Sequence, residues 1–323
     1  MNKRYLKAVH HKQFAMQPLR YSLISTLFLS SVLLLLNSCE REDSQAATEQ
    51  EVTASRVSTE ADGEAEVIFN GLFDDALGVN NQVGMGGTGI FGRNMANVPG
   101  ETGETMRPGS CPTVRITHPT NHFFPVHVVL DFGSGCIGRD GRHRRGKILI
   151  TYTNRLTIPG AVAETTFDGF YVDSIHVEGV HRIENTGSLV PPARSFKVDV
   201  IHGKLTKPNG DYTEWDSHKE IVQIEGLLTP DFPHDDIFRI TGHAEGNVRR
   251  GNLLVRWTSN IREPLIKRFN CRWLVKGVVR TVRGPNTNHP WVAELDFGYP
   301  TPGTCDNQAK ITVNGRVHII TLR

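Results

Sequence analysis

The sequence predicts an antiparallel all-β domain, a sandwich or a roll, with an internal duplication, a short N-terminal helix and a disordered tether. Three observations predict it. From Cys111 onward, short runs alternate apolar and polar residues, with turn signals about every 8–12 residues. One ordered set of residues occurs twice in that stretch. Ahead of it, residues 44–64 are rich in Ala, Ser, Thr, Glu and Gln and lack aromatics, a composition that buries too little apolar area to order itself.

Residues 1–38 read as a secretory signal. Lys3, Arg4, Lys7, Lys12 and Arg20 precede an apolar run, Leu23 to Leu36, and no acid falls among them. Leu36-Asn37-Ser38-Cys39 resembles a bacterial lipobox, in which the cysteine is lipidated and becomes the mature N-terminus. The 19 uncharged residues between Arg20 and Glu40 also reach the length of a membrane span. The serines, the terminal position and the placement of Cys39 favour the lipidated signal. The acyl chains that the likeness implies would anchor firmly, because two or more suffice where one is marginal. Glu40-Arg41-Glu42-Asp43 resembles the surface-export signal of Bacteroidota lipoproteins, and equally suits a plain polar tether. The expected location is the outer membrane or cell surface.

Removing residues 1–38 leaves 285 of 323 residues and 31 basic against 34 acidic side chains, so the mature chain carries about −3. A nucleic-acid binder needs a clear positive excess, and none is expected. Five cysteines occur. With Cys39 assigned to lipid, Cys111, Cys136, Cys271 and Cys305 remain, an even set suited to an oxidising compartment.

The expected organisation is a lipidated flexible tether over 39–64, a short helix and Gly-rich loop over 65–110, and one β domain over 111–323. Ala65, Ile68, Leu72 and Ala76 form a helical stripe beside Phe69 and Phe73. Val79 to Ser110 is rich in Gly, Asn and Pro and aperiodic. Hairpin turns are expected at Asp173-Ser174, Asn209-Gly210, Gly251-Asn252 and Asn314-Gly315, where small or amide residues accept positive φ.

The duplicated set runs Cys111, Thr120-Asn121-His122, Leu130-Asp131-Phe132-Gly133, Cys136, Lys147-Ile148. Its second copy runs Cys271, Thr287-Asn288-His289, Leu295-Asp296-Phe297-Gly298, Cys305, Lys310-Ile311. Of the three possible pairings, the repeat favours Cys111–Cys136 and Cys271–Cys305. Loops of about 25 and about 34 residues would each contribute roughly 3–4 kcal/mol. Each Leu-Asp-Phe-Gly reads as a strand end, with Leu and Phe buried and Asp capping a turn. The alternative makes Asp131 and Asp296 an acid/base pair. This layout, with Val83 to Gly89 before the first cysteine and Cys305-Asp306-Asn307 near the end, resembles the uncharacterised β-rich lipoproteins of Bacteroidota over most of the mature chain. That resemblance implies no activity and no catalytic residue.

Gly84-Met85-Gly86-Gly87-Thr88-Gly89 fits Gly-x-Gly-x-x-Gly but lacks the preceding strand of a dinucleotide site, so no cofactor is expected. Arg139, Arg142, His143, Arg144, Arg145 and Lys147 form the densest charge cluster, with Arg142, Arg144 and Arg145 as candidate oxyanion ligands. Trp215 and Tyr212 are candidates to stack on a sugar, while Trp273 belongs to the core. Asp231 to Asp236 is the best metal candidate, but Pro233 and the acids suit a plain loop before a strand better; no metal is assigned. Glu178, Glu225 and Glu245 each precede Gly near a strand end, without an assignable role, and no catalytic residue is named. The expected role is binding or envelope structure, with envelope proteins or glycans as partners. A glycan-binding accessory is the alternative, and an extracellular hydrolase comes third.

Overall fold

The computed structural model describes residues 22–92, 111–138, 140–229, 232–283 and 291–322, with side chains from Glu49 onward. The chain divides into two compact units, Met1–Gln50 and Glu51–Arg323. Residues 1–21 of the expected signal, the side chains of its apolar run and that of Cys39 lie outside the described residues. So do 93–110, Arg139, Asp231 and Thr287-Asn288-His289. Among the described residues no helix is long and apolar enough to cross a membrane.

Helix α1 spans Ser22–Gly78. The strands are β1 (Thr113–Thr117), β2 (Val126–Asp131), β3 (Cys136–Ile137), β4 (His143–Tyr152), β5 (Val162–Val172), β6 (Ile175–Asn185), β7 (Ser188–Leu189) and β8 (Pro192–Ala193). They continue as β9 (Ser195–Thr206), β10 (Tyr212–Glu225), β11 (Ile237–Arg250), β12 (Leu253–Arg268), β13 (Leu274–Arg283), β14 (Trp291–Asp296), β15 (Gln308–Val313) and β16 (Arg316–Thr321). Among the described residues, all except β7 and β8 join one antiparallel sheet of 14 strands, ordered β1-β2-β4-β5-β6-β9-β10-β11-β12-β13-β14-β15-β16, with β3 on β4. The all-β expectation holds, as one rolled sheet rather than two stacked ones.

What the sheet rolls around is α1 from Glu51 to Gly78. A helix turns about 100° per residue, so Asp62, Glu66, Phe69 and Phe73 share one face. They meet His181 of β6, Phe196 of β9, Trp215 and Lys219 of β10 and Phe238 of β11. A quarter turn on, Asp74 pairs with Lys267 of β12, and Gly63 lies against Leu295 of β14. From other sides, Asp75 faces Arg144 of β4 and the Ala76 carbonyl accepts from the Tyr152 hydroxyl. The helix is therefore the core rather than a cover.

This corrects the extent of the tether. Residues 51–64 were expected to be flexible; they are helix, and Ala54, Ser55, Ser58, Thr59, Ala61 and Asp62 are buried. The small residues that made the segment look structureless let strands approach the helix axis closely. A side chain at Gly63 would collide with Leu295. Burial from several directions, not an apolar stripe, orders this half of the helix.

The Gly-rich loop is also packed. Amides of Met85 and Gly86 donate to the Leu77 carbonyl, and Gly87 donates to Gly78. Thr88 Oγ1 donates to the Asp74 carbonyl, and the Ile90 amide to Asp75 Oδ1. The carbonyls left open at the end of α1 are satisfied this way. Gly89, at φ +57, sits where a side chain would strike Asp75. The loop ends a helix; it does not open one over a phosphate.

Both disulfides form as the repeat implies, Cys111–Cys136 and Cys271–Cys305, with Cα–Cα distances of 5.8 and 5.7 Å. The two Leu-Asp-Phe-Gly units match in register. Leu130 pairs with Ile148 and Asp131 with Lys147, as Leu295 pairs with Ile311 and Asp296 with Lys310. Leu130, Phe132, Leu295 and Phe297 are buried. Asp131 Oδ1 accepts from the Gly133 amide at 2.8 Å, and Asp296 Oδ1 from Gly298 at 2.8 Å. Those aspartates turn the chain. Asp173-Ser174 and Asn314-Gly315 take positive φ at both residues, the geometry of a tight hairpin.

The cavity of the sheet is ionic as well as apolar. Lys219 lies 2.9 Å from Glu66, and Lys267 lies 2.7 Å from Asp74. Burial raises the Asp74 carboxyl to about 6, against the pull of Lys267. It raises Asp75 to about 7, against Arg144, and Asp236 to about 7, against Arg194. Each binds its proton more tightly folded than unfolded, where the ordinary value is 3.8. The stability they contribute is present in acid and is lost as pH rises through 6 and 7. His181, buried and held near 4, works in the opposite sense below its ordinary 6.5. Three carboxyls outweigh one imidazole, so the melting temperature is expected to be higher at pH 5.5 than at pH 8. A thermal melt series showing the reverse order overturns this account.

Candidate functional site

With the interior filled by the Glu51–Gly78 part of α1, open concave volume is found on the outer face. A groove of about 500 Å³ crosses β9 to β13. It arises from strand alternation. On β10, Thr213, Trp215 and Ser217 point inward, so Tyr212, Glu214 and Asp216 point outward.

Two rows of outward side chains line it. In the first, Lys204, Glu214, Asn247 and Arg256 lie side by side across β9, β10, β11 and β12. In the second, Asp216 is opposite Glu245, which is opposite Thr258. Between the rows lies backbone, where Trp215 is flanked by Gly203 and Gly246, and Gly246 by Trp257. A side chain at Gly203 would strike Phe69 and Val200 inside, and one at Gly246 would strike Trp257.

The floor is braced from within. The indole N–H groups of Trp215 and Trp257 both donate to Asp62 Oδ1, at 2.8 and 3.1 Å, and Ser259 Oγ donates at 3.0 Å. Burial raises the Asp62 carboxyl above its ordinary value, while Lys219 and the indole bonds hold it down. One helix carboxylate thus fixes two strands beneath the groove.

At the rim, a bulge between β9 and β10 leaves His202 at φ +52. Its amide donates to Asp216 Oδ1 at 2.6 Å, and its ring stands 91% exposed. Glu214 lies 3.4 Å from Lys204 and accepts from Asn247 Nδ2 at 2.9 Å. Glu245 and Arg256 have no ion pair or side-chain hydrogen bond among the described residues, and both are exposed. Tyr212 stands half-buried one outward position along β10 from Glu214, with Lys204 Nζ 4.8 Å from its ring centre.

Several expected ligands lie elsewhere. Trp215 is 2% exposed and faces the helix, so it cannot stack on a sugar. Arg142 and Arg144 are buried at 6% and 4% and are held by turn carboxylates, one between β5 and β6 and one after β3. Arg142 Nε donates to Asp173 at 2.7 Å. The Arg144 fork grips Asp140 at 2.8 and 2.7 Å. Burial works to raise Asp140, yet the Arg144 bonds outweigh it and hold the carboxyl below its ordinary value. Only Arg145 of the three faces solvent, stacked 3.3 Å from the centre of Tyr171, which in turn stacks on His176. Trp273 is buried, as expected.

Asp131, Asp296, Glu178 and Glu225 do not line the groove. Of the acids singled out in the sequence, Glu245 does. In the loop read as a metal candidate, Asp235 accepts from Thr229 and Asp236 from Gln223. Among the described residues no cluster of His, Cys, Asp and Glu is arranged to hold a metal ion. Comparison of the chain with protein families, with curated proteins and with solved structures gives no match.

Proposed function

We propose that this chain is an extracytoplasmic, lipid-anchored binding module that works through the outer face of its sheet. The observation that carries the binding role is the groove over β9–β13, built on a floor that the buried helix holds rigid. Two disulfides support an oxidising compartment. The lipobox-like Leu36-Asn37-Ser38-Cys39 supports the anchor, and the likeness to β-rich lipoproteins of Bacteroidota belongs to the same reading. The outer membrane or cell surface is its location, with the acidic run after Cys39 favouring the surface.

A hydrolytic role has one observation in its favour, the pairing of Asp216 opposite Glu245. Neither is buried, so neither has the desolvated setting that raises a carboxyl into the range of a general acid.

The anchor is tested by intact mass of protein extracted from membranes. The expected product begins at Cys39 and carries the added mass of acyl chains, and Cys39→Ala is expected to leave the protein in the aqueous phase. An unmodified Cys39, or cleavage elsewhere, overturns the reading.

A further inference from the structure

We propose that the groove over β9–β13 is a subsite for an uncharged, hydroxyl-rich oligosaccharide lying across the strands. The proposal rests on the binding-module reading and names its ligand class.

The chemistry of the walls selects against other ligands. Glu214, Asp216 and Glu245 give the groove three carboxylates, which repel phosphate and sulfate. Lys204 and Arg256 stand among them, which disfavours a bare cation. A peptide that adds as a strand needs a sheet edge for its backbone bonds. β9 to β13 are all paired on both sides, so a peptide has no edge to use.

What the walls offer is a mixture of acceptors and donors with little net charge. A sugar hydroxyl both donates and accepts. Acceptors are Glu245 and the free lone pairs of Glu214 and Asp216; donors are Asn247, Arg256 and Lys204. Glu245 and Arg256 have no side-chain partner to give up before binding. Glu214 is already oriented by Lys204 and Asn247, so little freedom is left to lose. Tyr212 adds a partly exposed ring at the margin, where the apolar face of a sugar can stack.

Length agrees as well. Adjacent strands are about 4.8 Å apart, so four spacings from β9 to β13 give about 19 Å, room for several linked rings. Sugar rings set side by side along this direction would follow the backbone strip of Gly203, Trp215 and Gly246 and meet a polar row on either flank.

The test uses the full chain in mild detergent on an array of neutral and anionic oligosaccharides, followed by calorimetric titration of the strongest neutral one. Binding of neutral oligosaccharides is expected, with at least a tenfold loss of affinity in Asn247→Ala and in Arg256→Ala. Tyr212→Ala should weaken binding and Tyr212→Phe should retain it. Glu164→Gln, on the exposed side of β5, should bind as the parent does. Near-ultraviolet dichroism of Trp215 and Trp257 checks that each variant is folded. The proposal is overturned by a folded parent that retains no neutral oligosaccharide, by retention of anionic ones alone, or by affinity indifferent to the groove substitutions. Cleaved oligosaccharide in the titrated sample overturns it in favour of a hydrolase. A blank array beside a lipidated Cys39 removes the subsite and leaves the anchor intact, so the two failures are distinct.

Discussion

Lys267→Met is expected to destabilise the domain by about 3–5 kcal/mol at pH 8, because it leaves a buried carboxylate without its counter-charge. Lys267 is fully buried on β12, and its ammonium lies 2.7 Å from Asp74 on the helix. Without it, Asp74 must either stay charged in a dry interior or take up a proton. The second route is inexpensive in acid, since burial already lifts this carboxyl to about 6. The loss should therefore shrink markedly at pH 5. Adding Asp74→Leu to Lys267→Met should recover much of the stability, because an apolar pair of similar volume replaces two desolvated charges. Urea unfolding at the two pH values measures all three. A single-variant loss that is equal at pH 5 and pH 8 would show that Asp74 is not the group left behind.

Phe73→Ala is expected to cost about 3–5 kcal/mol through the cavity it leaves. The ring has no solvent exposure. It meets Phe196 of β9 edge-on at 5.4 Å, Phe238 of β11 at 6.0 Å and Phe269 beyond β12 at 6.5 Å. Two strands and the turn after β12 thus converge on one helix side chain. Phe123→Ala, at a ring 52% exposed, should change stability by no more than about 0.5 kcal/mol. Equal losses for the two would sink the view that the helix is the core.

The strands were legible because they obey local rules. Hairpins at Asp173-Ser174 and Asn314-Gly315 are written in residues that tolerate positive φ, and the matched Leu-Asp-Phe-Gly units announce their shared register. The helix was legible only from Ala65, where an apolar stripe begins. Its earlier turns carry buried Ser58, Thr59 and Asp62, and Asp62 meets Trp215 and Ser259, which lie 153 and 197 residues away. No window of sequence contains that information. The groove was missed by one position. Trp215 drew attention to β10, but strand parity turns the indole inward and sends Glu214 and Asp216 out on either side. The alternation Tyr212, Glu214, Asp216 against Thr213, Trp215, Ser217 carried that signal, had its faces been assigned by burial rather than by aromatic character. Arg142 and Arg144 misled for a related reason. Density of charge says nothing about direction, and both are spent on Asp173 and Asp140.

The enclosure of α1 has a consequence for the order of assembly. Each hairpin of the sheet joins neighbours in sequence and closes a short loop, so it can form as soon as its two strands exist. The helix is made first, but its partners come from the whole length of the sheet, from Arg144 and Tyr152 of β4 to Arg283 of β13. Asp62 waits 197 residues for Ser259, and Glu51 waits 232 for Arg283. Until β12 has emerged, Asp74 lacks the lysine that neutralises it. Completing the helix's contacts then depends on nearly the whole chain, and a ribosome that stalls before β13 leaves strand edges and a partly docked helix exposed to proteolysis.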